Sequence, residues 1–201
     1  MAYPWVGNAF GAAGNDLGGV RLLVLGESHY SDKHPIGEVY PPMTHDVMRH
    51  YLAGNHLRFF ANVAAAVSGR SQAEVGRSNH HQLWQSMAFY NYIPVTVASS
   101  ARKFDERFWE LGTQEFEKVL DDHRPDAVIV CGYRLFPRVL RRHVPGFTGD
   151  PWKFDQDIVQ LGGSSRPLAL RMMHPSAAFS AKAWTPKIAE MLKAAQYRNL
   201  S

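Results

Sequence analysis

The sequence is poor in cysteine, with Cys131 as the single one among 201 residues. One thiol cannot form a disulfide within the chain, and it excludes iron–sulfur clusters and zinc sites that require several cysteines. We expect no metal and no cofactor. We also expect a reducing cytoplasm as the location, because a chain without disulfides is typical of that compartment.

Long apolar stretches are also missing. No run of roughly 18 residues is apolar throughout, so the sequence predicts no membrane-spanning helix. The first residues lack a basic segment followed by an apolar one, which predicts no signal peptide. With a 45% hydrophobic fraction, a chain of this length fits one globular domain over residues 1–201, and we expect a monomer.

Aromatic residues and positive charge are, by contrast, well represented. The chain has 11 Phe, 8 Tyr and 5 Trp, enough for a core together with a pocket or a stacking surface. Its formal net charge is +4, which is compatible with a polyanionic partner such as DNA. Neither property identifies a partner by itself.

Four apolar runs predict the strands of a sheet. They span residues 20–26, 87–95, 126–132 and 166–173. The first and third runs are almost continuous in aliphatic residues, which is typical of parallel strands covered on both faces. Because helical patterns separate the runs, the chain predicts a three-layer α/β/α fold with a central, mostly parallel four-stranded sheet. Residues 1–19 predict an irregular lead-in, and residues 150–163 predict an extra strand or hairpin.

Helical patterns fill the spaces between these runs. Thr44 is the predicted cap of a helix that ends near Ser68 and breaks in two at Gly54 and Asn55. Three further amphipathic helices are predicted over residues 104–123, 133–143 and 183–197.

Polar side chains stand at the ends of three of the four predicted strands. They are Glu27, Ser28, His29 and Tyr30 after the first strand, Asn91 near the end of the second, and His174, Ser176 and Ser180 after the fourth. The carboxyl ends of parallel strands meet at one edge of a sheet, where α/β proteins bind ligands. Each residue alone has a structural explanation, but a carboxylate, an amide, two imidazoles and several hydroxyls together predict a functional site.

Four segments, taken in order, resemble the motifs of the uracil-DNA glycosylase superfamily. "VLGESHY" (24–30) is similar to the first motif, which reads V-L-G-Q-D-P-Y or G-E-x-P-G in members of the family. "FYNYIPV" (89–95) is similar to the strand that carries a base-reading asparagine. "VIVCGYRLF" (128–136) resembles the third strand with its terminal glycine, and "HPSAAFS" (174–180) resembles the last motif.

This resemblance implies a uracil-DNA glycosylase-like fold and a reaction on DNA. A base is rotated out of the duplex into a pocket, and its N-glycosidic bond is hydrolysed to leave an abasic site. Asn91 would read the base, His174 would donate a hydrogen bond to its O2, and Tyr30 would flank it. Glu27 would position the attacking water, with His29 as a helper.

The resemblance also implies a DNA-binding loop after the fourth strand. Phe179 would enter the duplex as an apolar wedge from the minor groove. Ser176 and Ser180 would bind the phosphates that flank the flipped nucleotide, with Lys182 close to them. The loop has one more residue than the shorter family pattern, so the two alanines before Phe179 stay open as alternative wedges.

The first motif departs from the family at two positions. Ser28, expected to line the base-binding site, stands where one family member has an aspartate that activates water. His29 stands in place of the usual proline and adds a titratable group. Glu27 supplies a carboxylate as in the G-E-x-P-G subgroup, whose iron–sulfur cluster is excluded by the single cysteine. We therefore expect Glu27 to take over the role of the missing aspartate.

The excised base stays open between uracil and a modified pyrimidine. The long segment after Tyr30 contains Asp32, Lys33, His34 and Glu38, which would give a wider pocket. Some members of the superfamily act on hypermodified phage bases as an antiviral defence. A glucosylated cytosine is therefore an alternative substrate to the uracil of DNA repair.

Three other function classes stay open. Glu27, His29 and His174 would form the two-histidine, one-carboxylate metal site of a hydrolase. Ser28 with His174 would form a serine hydrolase pair, although the nucleophile-elbow pattern G-x-S-x-G is absent. A catalytically inactive nucleic-acid-binding relative would bind DNA and release no base.

Overall fold

The computed structural model describes residues 3–98 and 104–200. Within these ranges the chain forms a mixed α/β fold with seven helices and one six-stranded sheet. The strands are β1 (Trp5–Val6), β2 (Leu22–Tyr30), β3 (Met87–Val97), β4 (Ala127–Cys131), β5 (Ile158–Gln160) and β6 (Leu168–Met172). The helices are α1 (Met43–Leu52), α2 (Arg58–Ser68), α3 (Gln72–Val75), α4 (Arg77–Gln85), α5 (Glu106–His123), α6 (Phe136–His143) and α7 (Ala181–Leu200). No helix in the described ranges is long and apolar enough to cross a membrane.

The sheet has the strand order β1-β3-β2-β4-β6-β5. Its four central strands are the four that the sequence predicts, and they pair in parallel. The edge strands β1 and β5 pair antiparallel with their neighbours. The predicted count of four strands was therefore wrong. β1 is two residues long and too short to show a pattern, whereas β5 lies in the segment 150–163 where an extra strand was predicted.

β2 extends beyond the apolar run that predicts it. Its nine residues end at Tyr30, so its polar residues belong to the strand instead of following it. β4 pairs with β2 only as far as Leu25, whereas β3 pairs with β2 as far as Tyr30. The register shifts between Ser28 and His29, and an irregularity of this kind re-aims the side chains that follow it.

Two hydrophobic clusters form on the sheet, and alternate residues of β2 divide between them. Leu22 and Val24 join a first cluster with residues of α1, α2, α4 and α7. Leu23 and Leu25 join a second cluster with residues of α5 and α6. The two-residue period of a strand explains this division. The aliphatic run of β4 is buried along its whole length, as its sequence predicts.

The helices agree with the predicted pattern in part. The predicted break at Gly54 and Asn55 is confirmed, since α1 and α2 flank these residues. Thr44 does not cap α1, because it lies fully buried inside the first turn and Pro42 occupies the cap position. The sequence patterns do not reveal α3 and α4, because the polar segment that forms them lacks a clear apolar period.

Candidate active site

A cavity of about 240 Å³ opens at the carboxyl ends of the central strands. Seven predicted site residues line it, namely Glu27, Ser28, His29, Tyr30, Asn91, His174 and Ser176. Its remaining lining residues are Gly26, Met43, Val47, Phe59, Phe60 and Phe89. We call it the strand-end cavity. A carboxylate, an amide and two imidazoles from three strands therefore meet in one place.

Glu27 is buried at this cavity and forms an ion pair with Arg134. Arg134 Nε donates a hydrogen bond of 2.8 Å to Oε2 of Glu27, and Nη2 donates to Oε1. Tyr30 donates its phenolic hydroxyl to Oε1 over a longer distance of 3.4 Å. Two parallel hydrogen bonds from one guanidinium fix the orientation of the carboxylate. The same bonding raises the pKa of Arg134.

Arg134 is a site residue that the sequence patterns do not reveal. It falls inside the predicted helix 133–143, but α6 begins only at Phe136, so Arg134 lies in the loop after β4. Its guanidinium carbon lies 4.6 Å from the ring centroid of Phe104, within the range of a stabilising cation–π interaction. An arginine shortly beyond the third predicted strand was the signal available in the sequence.

His29 is buried and bonds to two polar side chains. Its Nε2 lies 3.0 Å from Oγ1 of Thr44, and its Nδ1 lies 3.0 Å from Nδ2 of Asn91. The amide nitrogen of Asn91, which is a donor, also lies 3.3 Å from Nε2 and therefore contacts both ring nitrogens. Burial lowers the pKa of His29 to about 4, which keeps the imidazole neutral at neutral pH. Both ring nitrogens are thus engaged within the protein.

Gly26 leaves the space that the Asn91 amide occupies. The two residues are paired opposite each other in β2 and β3. A β-carbon at position 26 would lie 2.1 Å from Oδ1 of Asn91, so any larger residue would displace the amide. The glycine that ends the first predicted strand is therefore required by a side chain of the neighbouring strand.

His174 follows β6 and lies partly buried against Phe59, with the two ring centroids 5.5 Å apart. Its Nδ1 accepts a hydrogen bond of 3.2 Å from the backbone N–H of Ser176. Burial lowers the pKa of His174, an effect that the Glu27 carboxylate opposes and Arg134 reinforces. The net lowering keeps the ring neutral at neutral pH, and its proton then lies on Nε2, where it can be donated.

Aromatic rings form the apolar wall of the cavity. The ring centroid of Phe89 lies 5.6 Å from that of Phe59 and 5.0 Å from that of Phe60. The sequence assigns Phe59 and Phe60 to the apolar face of a helix. Their place in the wall was not predictable, because it depends on how α2 lies over β3. Such rings offer a stacking surface to a planar ligand.

The loop after His174 is held against α2 by two side chains. Asn62 Nδ2 donates a hydrogen bond of 2.7 Å to the carbonyl oxygen of Pro175. Arg58 Nη2 donates one of 3.2 Å to the carbonyl oxygen of Ala177. The position of the loop is therefore coupled to the helix that supplies the aromatic wall.

The predicted DNA-binding residues differ in their exposure. Ser176, Ser180 and Lys182 are exposed to solvent. Phe179, the predicted wedge, is partly buried and packs against the first cluster. The two alanines before it are exposed. The exposed apex of the loop is therefore the Ser-Ala-Ala sequence at 176–178.

The segment after β2 does not widen the cavity. None of Asp32, Lys33, His34 and Glu38 is among the residues that line it in the described ranges. The segment instead runs beside the end of β3, where Gly37 and Glu38 exchange backbone hydrogen bonds of 2.9 Å with Thr96. His34 stacks on Tyr40 with ring centroids 4.0 Å apart.

The arrangement gives little support to a metal site or a serine nucleophile. In residues 3–98 and 104–200, no group of three or more His, Cys, Asp or Glu side chains could hold a metal ion. The bonds of His29 to Thr44 and Asn91 already use both of its ring nitrogens. Ser28 Oγ is buried and has no hydrogen-bond partner in the described part of the chain, so no base activates it.

No protein-family model matches the chain, and no curated protein matches it. The case for a function therefore rests on the residues of the strand-end cavity and on their hydrogen bonds.

Proposed function

We propose that the protein is a monofunctional DNA glycosylase that flips a uracil or a modified pyrimidine out of DNA and hydrolyses its N-glycosidic bond. The main support is the meeting of Glu27, Asn91 and His174 in one cavity at the strand ends. The reaction needs a group that reads the base, a donor for the departing base, and a group that stabilises the sugar cation or holds the water. These three residues supply one of each.

The ring of His174 suits a departing base. Negative charge develops on O2 of the pyrimidine as the N-glycosidic bond breaks, and a donor aimed at developing charge is worth roughly 10²–10³ in rate. A neutral imidazole that carries its proton on Nε2 is such a donor. The hydrogen bond from the Ser176 N–H to Nδ1 holds the ring in this orientation before the reaction.

Glu27 serves in this proposal as the anionic group beside the sugar. A carboxylate near C1′ stabilises the oxocarbenium-like transition state and orients the attacking water. Arg134 already donates two hydrogen bonds to Glu27, which hold the carboxylate in one orientation. We therefore assign Glu27 to water positioning and charge stabilisation. The bond from C1′ to the base breaks with its electron pair leaving on the base, the water oxygen bonds to C1′, and the proton that the water loses passes to solvent.

The flipped base would stack on the aromatic wall. Phe59 and Phe89 offer the apolar faces, and the amide of Asn91 offers one donor and one acceptor at the edge of the base. Tyr30, which lies at the cavity with 46% of its surface exposed, would flank the base from the solvent side.

The exposed loop supports DNA as the partner. Ser176 and Ser180 would bind phosphates, with Lys182 and Arg58 as nearby exposed cations. The Ser-Ala-Ala apex would contact the base stack first. Phe179 would enter the stack only after its ring moves away from the first cluster. The proposal includes a single three-layer α/β/α domain of the uracil-DNA glycosylase type, a monomeric chain and a cytoplasmic location.

Base release from defined oligonucleotides tests the proposal. Single-stranded and duplex DNA containing uracil or modified cytosines, including glucosylated 5-hydroxymethylcytosine, is incubated with protein, and abasic sites are detected by alkaline strand cleavage. We expect cleavage at one class of base. Glu27→Gln should abolish most of it, since the amide leaves the sugar cation without a counter-charge.

Glu106→Gln is the matched control for Glu27→Gln. Glu106 also pairs with an arginine, Arg138, which lies over an aromatic ring, but this pair is outside the cavity. Release of modified cytosine alone would select the antiviral alternative. DNA binding without release of any base would contradict catalysis and favour the inactive relative.

A further inference from the structure

We propose that the loop between α1 and α2 and the basic residues around it form a second DNA-contact surface, which binds phosphates on one side of the flipped nucleotide. We call it the α1–α2 surface, and its residues are Arg49, His50, His56, Arg58 and Arg77. The inference rests on the proposed function and deepens it by giving the direction in which the bound strand leaves the strand-end cavity.

Positive charge is unevenly distributed along the chain. Residues 47–98 contain four arginines, four histidines and one acidic residue, Glu74. That carboxylate is used locally, because it accepts a hydrogen bond of 2.6 Å from the backbone N–H of Ser71 in the capping box of α3. Residues 105–122 are the opposite, with seven acidic and two basic residues. A charge asymmetry of this kind indicates a polyanionic partner for the basic part of the chain.

The fold gathers basic side chains of this segment around the α1–α2 loop. Arg49 lies in the last turn of α1, and Arg58 is the first residue of α2. Arg77 is the first residue of α4, and its Nη1 donates a hydrogen bond to the carbonyl oxygen of Gly54 in the loop. All five residues of the α1–α2 surface are exposed to solvent. Three helices thus present their cations on one accessible surface.

One acidic side chain lies beside these cations. Arg49 Nη2 is 3.3 Å from Oδ1 of Asp46, one turn earlier in α1. The side chain of Arg49 is nevertheless 75% exposed, and an ion pair in water contributes little to stability. A guanidinium in this position can exchange the carboxylate for a phosphate, which it binds with the same fork of N–H donors.

The α1–α2 surface adjoins the strand-end cavity. Phe59 and Phe60, which follow Arg58 in α2, line that cavity. Arg58 Nη2 also donates its hydrogen bond of 3.2 Å to the carbonyl oxygen of Ala177, at the exposed apex of the loop after β6. Arg58 therefore stands where a strand would pass from the cavity to the α1–α2 surface.

The other side of the cavity is less suited to phosphates. α5 packs on the opposite face of the sheet, in the second cluster. Six of the seven acidic residues in the segment 105–122 are exposed to solvent. Carboxylates repel a phosphate backbone, whereas cations release the counterions condensed on it. We therefore expect the strand to leave the cavity towards α2 and away from α5.

Binding to DNA that contains no excisable base tests the surface. Fluorescence anisotropy at several salt concentrations is used with oligonucleotides of about 20 normal nucleotides, single-stranded and duplex. Each phosphate contact contributes about 0.7–0.9 to the slope of log affinity against log salt. Replacing both Arg49 and Arg58 with Gln should therefore lower this slope by about 1.4–1.8 and weaken binding roughly tenfold or more near 0.1 M salt. Arg49→Gln alone, which leaves the bond from Arg58 to Ala177 intact, should lower the slope by about half as much.

α6 offers a matched control. Arg141 and Arg142 are also exposed arginines in the last turn of a helix. This turn lies at the amino ends of the strands, where the N–H of Gly162, between β5 and β6, donates a hydrogen bond of 2.7 Å to the carbonyl oxygen of His143. Arg141→Gln combined with Arg142→Gln removes the same charge from the protein and should leave the slope nearly unchanged.

The direction of the strand is tested on substrates. Two single-stranded oligonucleotides carry the excisable base near the 5′ end in one and near the 3′ end in the other. Arg49→Gln should raise the protein concentration that gives half-maximal single-turnover release for only one of them. The maximal rate should not change, because a contact outside the cavity is the same before and during the reaction. Equal sensitivity of the two substrates would overturn the direction.

The remaining outcomes separate the surface from the reaction. Equal slopes for the two double variants would overturn the surface even if bases are released, and so would a lack of binding to both forms of DNA. The expected loss of affinity without release of any base would refute the proposed catalysis and leave the α1–α2 surface as a DNA-binding one.

Discussion

The strand-end cavity and a second cavity at the ends of α5 and α6 differ more in chemistry than in size. The second is the larger, at about 320 Å³ against about 240 Å³. Its charged groups, Glu117, Asp121 and Arg142, come from two helices, and its histidine, His143, is held by Tyr92 in the second cluster. In the strand-end cavity, three separate strands each contribute a polar side chain.

The two cavities share some of the features that are usually read as signs of a functional site. Burial lowers the pKa of His143 to about 4, as it does that of His29, so a shifted histidine is found in both places. Volume and a shifted pKa are both products of packing. What distinguishes the strand-end cavity is that unlike groups converge from several strand ends, where one ligand would touch all of them.

Replacing the histidine in each cavity should give the largest difference in base release between the two cavities. We expect His174→Ala to lower single-turnover base release by about two to four orders of magnitude, because the leaving base loses its donor. His143→Ala should leave release by the folded fraction unchanged. His174→Gln, which retains an N–H donor, should recover part of the loss. Equal rates for His174→Ala and the wild type would remove His174 from the chemistry.

Gly26 and Gly14 differ in the space around them, so replacing each with alanine compares a crowded position with an open one. Gly26→Ala would place a β-carbon 2.1 Å from Oδ1 of Asn91, so we expect a destabilisation of about 1–3 kcal/mol and a loss of base release. Gly14 has nothing within 4 Å of the corresponding β-carbon, and Gly14→Ala should stabilise by up to about 1 kcal/mol. Urea unfolding measures both. Equal unfolding free energies for the two variants would contradict the crowding at Gly26.

Acid should affect the two buried histidines alike, so the expected difference between the two cavities is smallest here. The pKa of each is lowered to about 4, so below the usual value near 6.5 the unfolded chain binds a proton that the folded protein does not. Stability is therefore fully present above about pH 6.5 and is lost as the pH falls towards about 4, on the order of 1–3 kcal/mol per histidine.

Denaturant unfolding between pH 7 and about 4.5 checks this loss. His29→Leu and His143→Leu should each make the stability less dependent on pH, by similar amounts. A variant as acid-sensitive as the wild type would show that its histidine is not the group responsible.

The strand-end residues were predictable because apolar runs mark where strands end. Glu27 and His174 follow such runs, Asn91 is the amide inside another run, and parallel pairing brings strand ends to one edge of a sheet. The structure of the loops is not needed to place these residues. The length of the apolar runs also explains why the four central strands were predicted and the two-residue β1 was not.

The other residues of the site depend on geometry that local patterns do not contain. Arg134 looked like part of a helix, and it reaches Glu27 because α6 begins only at Phe136. Thr44 looked like a helix cap, because a threonine before an apolar pattern usually is one. Phe59 reaches the cavity through the angle at which α2 crosses the sheet. In each case, contacts between residues that are far apart in the sequence override the local preference.

The overhang of β2 gives the site a mechanical character. Through Leu25 the strand is held by β3 and β4, whereas residues 26–30 are paired with β3 alone. A strand held along one edge bends at a lower free-energy cost than one held along both. The ion pair between Glu27 and Arg134 ties this free edge to the chain that follows β4. The position of Glu27 therefore depends on a strand that is paired along one edge and on an ion pair that joins this strand to the chain after β4.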